Sequence, residues 1–381
     1  MAARPVTSPL TSTSFRLVLV TTVLAFGGYA LLLPVVPLWV ARGGSGAFGA
    51  GTTTGVLMLV TVTTQLAVPW LLARIGHRWV LGIGALLLGA PAPLLALSPD
   101  LAPVLAVSVV RGVGFGLVTV AGSALVAELV PPAQLGRASA RYGLAVGLPQ
   151  FVLLSAGVAA AERLGFTVVF VVAGVLPLLG ALIATIVRVP PRGERPETAS
   201  APRSGPPAWW PVLAMLVCAI AQGGLITFLP LAVPDAGTVV ALALLGTAAG
   251  GLTGRLVAGE LVDRRGWGGR LLRPGVLVAA VGMTVEVVVG SGPSVVVGAV
   301  VVGLGFGLVQ NDALTALFAA AGPERYGSAS AAWNIAYDAG TGAGAVGLGA
   351  VAEPFGYAAA FGTSAVLLGL VALGSHPPRS T

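Results

Sequence analysis

The sequence predicts an all-α integral membrane protein, with twelve transmembrane helices in two pseudo-symmetric six-helix bundles. Three observations predict it. The chain is 56% hydrophobic and 9% charged, with a mean hydropathy of +0.97. A soluble domain cannot hide that much apolar surface while keeping its outside solvated. The apolar residues fall in runs of about 20 or more, the length a helix needs to cross roughly 30 Å of hydrocarbon. Finally, the second half of the chain repeats the first.

The first run, Leu17 to Val40, follows a polar start (residues 1–14). It is longer than a signal-peptide core and lacks a convincing cleavage site, so it is expected to stay as the first span. Charges, Pro/Gly clusters and length divide the rest, giving spans at 15–40, 48–73, 78–98, 101–129, 140–161, 166–187, 209–234, 237–262, 271–291, 294–318, 329–352 and 356–375. Between the sixth and seventh runs "RVPPRGERPETASAPRSGPP", rich in Pro and Arg with nothing to bury. It reads as a solvated linker. The expected organisation is a bundle at 1–187, a linker at 188–208 and a bundle at 209–381.

The net charge of +7 comes from 20 basic residues, all arginine, placed in short loops rather than along one amphipathic face. That placement argues against a nucleic-acid partner and for a lipid bilayer. By loop parity sixteen arginines fall on one side and Arg42 and Arg163 on the other, with Arg111 and Arg255 inside spans. The asymmetry predicts a multi-pass protein of the plasma (inner) membrane with both termini cytoplasmic.

The repeat has a nearly constant period. "RGVGFGL" at 111–117 recurs as "VGLGFGL" at 302–308, an offset of 191, and "PAQLGRASA" at 132–140 recurs as "PERYGSASA" at 323–331. "ERLGF" at 162–166 recurs as "EPFGY" at 353–357, again 191, and "GGYALLLP" at 27–34 matches "GGLITFLP" at 223–230. Two six-span halves of the same orientation account for this.

One loop is crowded with charge: "AGELVDRRG" at 258–266 holds Glu260, Asp263, Arg264 and Arg265. With the six-plus-six spans and the basic central loop, it resembles the major facilitator superfamily over essentially the whole chain. That family's signature loop reads Gly, three residues, Asp, two residues, Gly. Here it is matched by Gly259, Asp263, Arg264, Arg265 and Gly266. The copy after span two, "PWLLARIGHR", has Pro69 and Ala73 in place of the Gly and Asp, while Arg74, Gly76, His77 and Arg78 keep the rest. The resemblance implies a conformational latch at these positions, with Asp263 facing the start of span five near Gly136–Arg141. Solvated topology markers are the alternative. Asp263 gains nothing from its own helix, because a carboxylate at a C-terminal end opposes the local dipole.

"RGVGFG" of span four and "GLAVGLP" of span five resemble features of the family's exporters. Gly143 and Gly147 are expected to let helices approach closely, and Pro149 to kink the span.

An ionisable group deep in a bilayer costs about 2.5–3.5 kcal/mol, so it needs a partner or a wet cavity. Asn334, Tyr337, Asp338 and Thr341 form one polar stripe on span eleven. Asp338 lies about 14 Å deep and Arg111 about 15 Å deep from the opposite surface, by the helical rise. The two are expected to approach each other, directly or through water, as a proton-coupled pair or a structural one. Asp312, after Gln310 and Asn311, is the third proton-coupling candidate. Glu286, in span nine, which the resemblance makes a peripheral helix, is expected near the outer surface, and Arg255 within reach of the inner headgroups by snorkelling. Substrate-binding candidates are Tyr29, Gln65, Tyr142, Gln150, Gln222, Asn311, Asn334 and Tyr337.

Other chemistry finds no support. Cys218 is the single cysteine, the two histidines (His77, His376) are far apart, and the Gly-rich pieces lie in apolar spans. No metal cluster, catalytic constellation or phosphate cradle is expected, so the chain is not read as an enzyme and needs no cofactor beyond a proton gradient. The expected function is secondary active transport of a small molecule by alternating access, as proton-coupled efflux by a monomer. Uptake by proton symport, and a non-transporting sensor or binding protein of the same fold, are the alternatives.

Overall fold

The computed structural model describes residues 12–130, 135–188, 209–233, 237–289, 292–321 and 326–374. Among them every regular element is helical: α1 (Thr13–Val40), α2 (Gly46–Ile75), α3 (His77–Gly89), α4 (Leu101–Leu129), α5 (Leu135–Leu164), α6 (Phe166–Thr185), α7 (Trp209–Ala232), α8 (Gly237–Arg265), α9 (Leu272–Val289), α10 (Pro293–Ala321) and α11 (Tyr326–Gly374). Apart from Arg188, the expected linker at 188–208 lies outside the described residues.

Helices dominate because a bilayer offers backbone N–H and C=O groups no water, and a helix satisfies them within itself. Nine continuous helical segments are long and apolar enough to cross a membrane among the described residues. Two of these, Thr13–Ile75 and Ala331–Gly374, contain 63 and 44 residues. At 1.5 Å per residue each is long enough to cross twice. The first turns back through Ala41–Ser45, where Gly44 has φ 93°. The second turns at Gly356, φ 82°. Gly165, between α5 and α6, has φ 89° and stands 191 residues before Gly356. Only glycine takes this left-handed backbone without strain.

The helices before residue 188 pack mainly on one another: α1 on α5 and α6, α2 on α4, α3 on α4 and α6. Those after 209 do the same: α7 on α11, α8 on α10, α9 on α10 and α11. The two groups meet chiefly where α2 packs on α11 and α5 on α8. Following the chain, one face of the bundle carries Thr13, Ile75, Thr185 and Trp209 (the terminal face). The opposite face carries Ala41–Ser45, Gly165, Ala232 and Gly356 (the distal face).

Close packing rests on small residues, since lipid supplies little hydrophobic drive between helices. A Cβ on Gly305 would overlap the backbone of Gly275 and Ala279, and one on Gly114 would overlap Gly84 and Leu88. These are the same contacts 191 residues apart. Gly305→Ala is therefore expected to cost about 1–3 kcal/mol by overpacking. Gly347→Ala, where an added Cβ meets nothing within 4 Å, should be neutral within about 0.5 kcal/mol. Thermal unfolding of the two variants in detergent checks the contrast.

The α5 glycines depart from expectation. Nothing approaches within 4 Å of a Cβ placed on Gly143 or Gly147. The close approach on α5 is made instead by Gly157, against the carbonyl of Leu31. The reason is position: Gly157 lies in the distal half of α5, where α1 crosses it.

Candidate functional site

The seam between α2 and α11 builds the site. From the distal face inwards, Gly51 packs on the Ala345 carbonyl, Gly55 on Val346 and Met58 on Gly342. The next contact is polar. Gln65 Nε2 donates to Asp338 Oδ2 at 2.8 Å and to Thr119 Oγ1 at 3.1 Å. Both Gln65 and Asp338 are buried, and Gln65 Oε1 has no hydrogen-bond partner. Further along α2, Leu66 and Trp70 are exposed. Along the seam the Gln65–Asp338 bond thus follows the close contacts of the distal side.

Tyr142 of α5 reaches the same cluster, its hydroxyl donating to the Thr119 carbonyl at 3.4 Å. α2, α4, α5 and α11 therefore share a hydrogen-bond network centred on Thr119. The sequence reading missed Thr119, yet a signal was present: Arg111, Phe115 and Thr119 fall at i, i+4 and i+8, on one face of α4.

Arg111 does not pair with Asp338. Its guanidinium is buried and donates through Nε to the Leu88 carbonyl at 3.4 Å. It lines a small cleft with Tyr29, Thr53, Thr54 and Ser108. The expected direct approach is corrected accordingly: equal depth along two helices does not make their side chains face each other. Tyr29 borders the same cleft, and its ring stacks on Phe115 with centroids 4.0 Å apart. Arg255 is half-buried on α8. Tyr337 packs between Phe306, at 5.7 Å, and Trp333, at 6.1 Å. Trp333 Nε1 donates to the Gln310 carbonyl at 3.0 Å.

The other candidates scatter. Gln222 on α7 is buried, with Oε1 unpartnered. Gln150, Asn311 and Asn334 are half-buried on α5, α10 and α11. Thr341 turns its hydroxyl back onto the Tyr337 carbonyl at 2.9 Å. Glu286, near the distal end of α9, is buried, its carboxyl against Gly298 and its Oε1 without a hydrogen bond.

Asp312, the third proton-coupling candidate, anchors a turn. It is fully buried, and its two oxygens accept from the backbone N–H groups of Gly269 and Leu271, each at 2.7 Å. Those donors belong to the turn between α8 and α9. The carboxylate closes the N-terminal end of α9, where free N–H groups and the helix dipole favour an anion.

The signature loop itself is turned onto its own helix. Arg264 pairs with Glu260 one turn back, both exposed, and Arg265 stacks 5.4 Å over the Trp267 ring. Across the pseudo-repeat Arg74 and Arg78 stack over Trp70 and Trp79, at 4.6 and 5.1 Å. Gly76 and Gly266 have φ 83° and 63°, and Gly259 has open space around it. The side chain of Asp263, and those of Gly136 and Arg137 at its expected partner, lie outside the described residues.

Two groups of long apolar helices meeting along a buried polar seam define a multi-pass membrane transporter rather than an enzyme. The chain belongs to the Major Facilitator Superfamily, whose family model matches residues 18–345. No curated protein matches the chain significantly. Solved structures share the fold. A bacterial homologue of the human lysosomal transporter Spinster, inward-facing and occupied, has a TM-score of 0.81 at 16% identity, covering 96% of each chain. A mutant of the peptide transporter POT in complex with alafosfalin has a TM-score of 0.76 at 17% identity, over 96% of this chain and 95% of that one.

Proposed function

We propose that this protein exports a small, moderately apolar molecule in exchange for protons, as a monomer in a plasma membrane with both termini cytoplasmic. The two bundles (1–187 and 209–381, joined by 188–208) rock about the α2–α11 and α5–α8 seams. Asp338 carries the proton. One observation supports this above others: a buried carboxylate whose hydrogen-bond donor is a neutral amide from the opposite bundle, at 2.8 Å. A charge so held in an apolar seam is metastable, because protonation relieves its desolvation. Asp312, held by two backbone N–H groups, has no such freedom.

The aromatic walls at Tyr29, Phe115, Trp333 and Tyr337 suit an apolar solute. The unpartnered carbonyls of Gln65 and Gln222 offer acceptors to a substrate N–H or O–H. Export as the direction rests on the exporter-like pattern of α5, with Pro149 inside the helix.

The test is flux. Purified protein in proteoliposomes, challenged with a panel of labelled metabolites, should show counterflow of a subset, and uphill movement that an imposed pH gradient drives and a proton ionophore abolishes. Saturable binding without counterflow would remove the transport reading, and counterflow indifferent to the gradient would remove the coupling.

A further inference from the structure

The repeat "ERLGF" and "EPFGY" plays no part in the central site, yet each glutamate sits at the distal face against a helix of the other half. Glu353, at the distal turn of α11, accepts the backbone N–H of Phe48 through Oε2 at 3.0 Å. A Cβ on Gly46, the first residue of α2, would fall inside the Glu353 carboxylate. Glu162, at the end of α5, occupies the same place on Gly237, the first residue of α8. Both pairs are related by the repeat: 162 to 353 is 191 residues, and so is 46 to 237. Glu162 is also 3.7 Å from Arg42, whose guanidinium lies 5.1 Å over the Phe166 ring.

From this geometry we infer that Glu162 and Glu353 are a pseudo-symmetric pair of catches that hold the distal face closed. Each carboxylate is seated on the N-terminal end of a helix from the other bundle, where free N–H groups and the helix dipole attract an anion. Glycine at the first helical position gives the carboxylate its seat. The two catches span both inter-bundle seams, α5–α8 and α11–α2, so the distal face cannot part without breaking both. Both glutamates reach solvent. Such contacts are weak enough to reverse in each cycle. The inference rests on the alternating-access reading but concerns a different face from the proton site.

The test reads opening directly. Ala47 is buried on α2, with its carbonyl against Gly349 across the seam. An Ala47→Cys thiol, in a Cys218→Ala background, should react with a water-soluble maleimide at a rate proportional to the time the distal face is open. Glu162→Gln and Glu353→Gln should each speed labelling by roughly two- to fivefold, and the double variant by about the product. Gly237→Ala, which keeps every charge but fills the seat of Glu162, should speed it too. An unchanged rate in the double variant overturns the proposal, as does acceleration by Gly237→Ala with none from Glu162→Gln. The assay contains no substrate, so accelerated labelling in a protein that carries no flux keeps the catches and removes only the transport reading.

Discussion

Asp338→Asn is expected to leave a protein that exchanges its substrate but no longer accumulates it. The carboxamide keeps the shape of the side chain and still accepts from Gln65 Nε2, so the seam should close as before. What it loses is the ability to carry a proton. One net charge moved down 100 mV supplies about 2.3 kcal/mol, which corresponds to a concentration ratio of about 50. In energised proteoliposomes the wild type should approach that ratio for a cycle moving one charge. The variant should stay near unity while its counterflow remains. Stability discriminates further. Removing a buried charge spares a desolvation cost of about 2.5–3.5 kcal/mol, so the variant should melt no lower than wild type. Normal gradient-driven accumulation by Asp338→Asn would remove the proton role.

Asp312→Ala should have the opposite profile. Asp312 accepts two 2.7 Å bonds from buried or half-buried backbone N–H groups, and alanine leaves both donors without an acceptor. Hydrogen bonds to a charged group contribute about 1.5–3 kcal/mol each, and a stranded donor carries its own penalty. A loss of about 3–5 kcal/mol follows, with the turn at Gly269–Leu271 opening first. Asn, with one acceptor oxygen instead of two, should fall between alanine and wild type. Counterflow per folded molecule should survive in both. A stable Asp312→Asn protein without gradient-driven transport would return Asp312 to the proton path. The corresponding position in the first half, 191 residues earlier, is Ala121, so the turn after α2 has no such carboxylate. The half that departs from the signature at Pro69 and Ala73 thus also lacks the anchor beneath it.

Much of the molecule was legible from the chain alone. Apolar runs gave the helices, because a bilayer leaves the backbone no other way to satisfy its polar groups. The repeat at 191 reappears as matched contacts, Gly84 on Gly114 and Gly275 on Gly305. Asp338 was legible as an ionisable residue at mid-depth, since depth follows from counting residues along a helix. Its neighbour was not. The proposed partner Arg111 lies at a similar depth but turns to Leu88, whereas Gln65 on α2 faces Asp338. The polar stripe of span eleven marks its inward side, but on α2 apolar residues run nearly all the way round, so nothing there reveals that Gln65 looks inwards.

The same distinction separates the two aspartates and the two glutamates. Sequence alone determined that this is a polytopic helical membrane protein of duplicated design, with scarce charges at definite depths, because hydrophobic length and loop charge are properties of the chain taken one residue at a time. Tertiary structure alone decided that Asp338 meets a neutral amide, that Asp312 closes a turn, and that Glu162 and Glu353 reach across to the opposite bundle. Those roles depend on the rotation of each helix about its axis, and that angle is fixed only when small residues let particular helices pack.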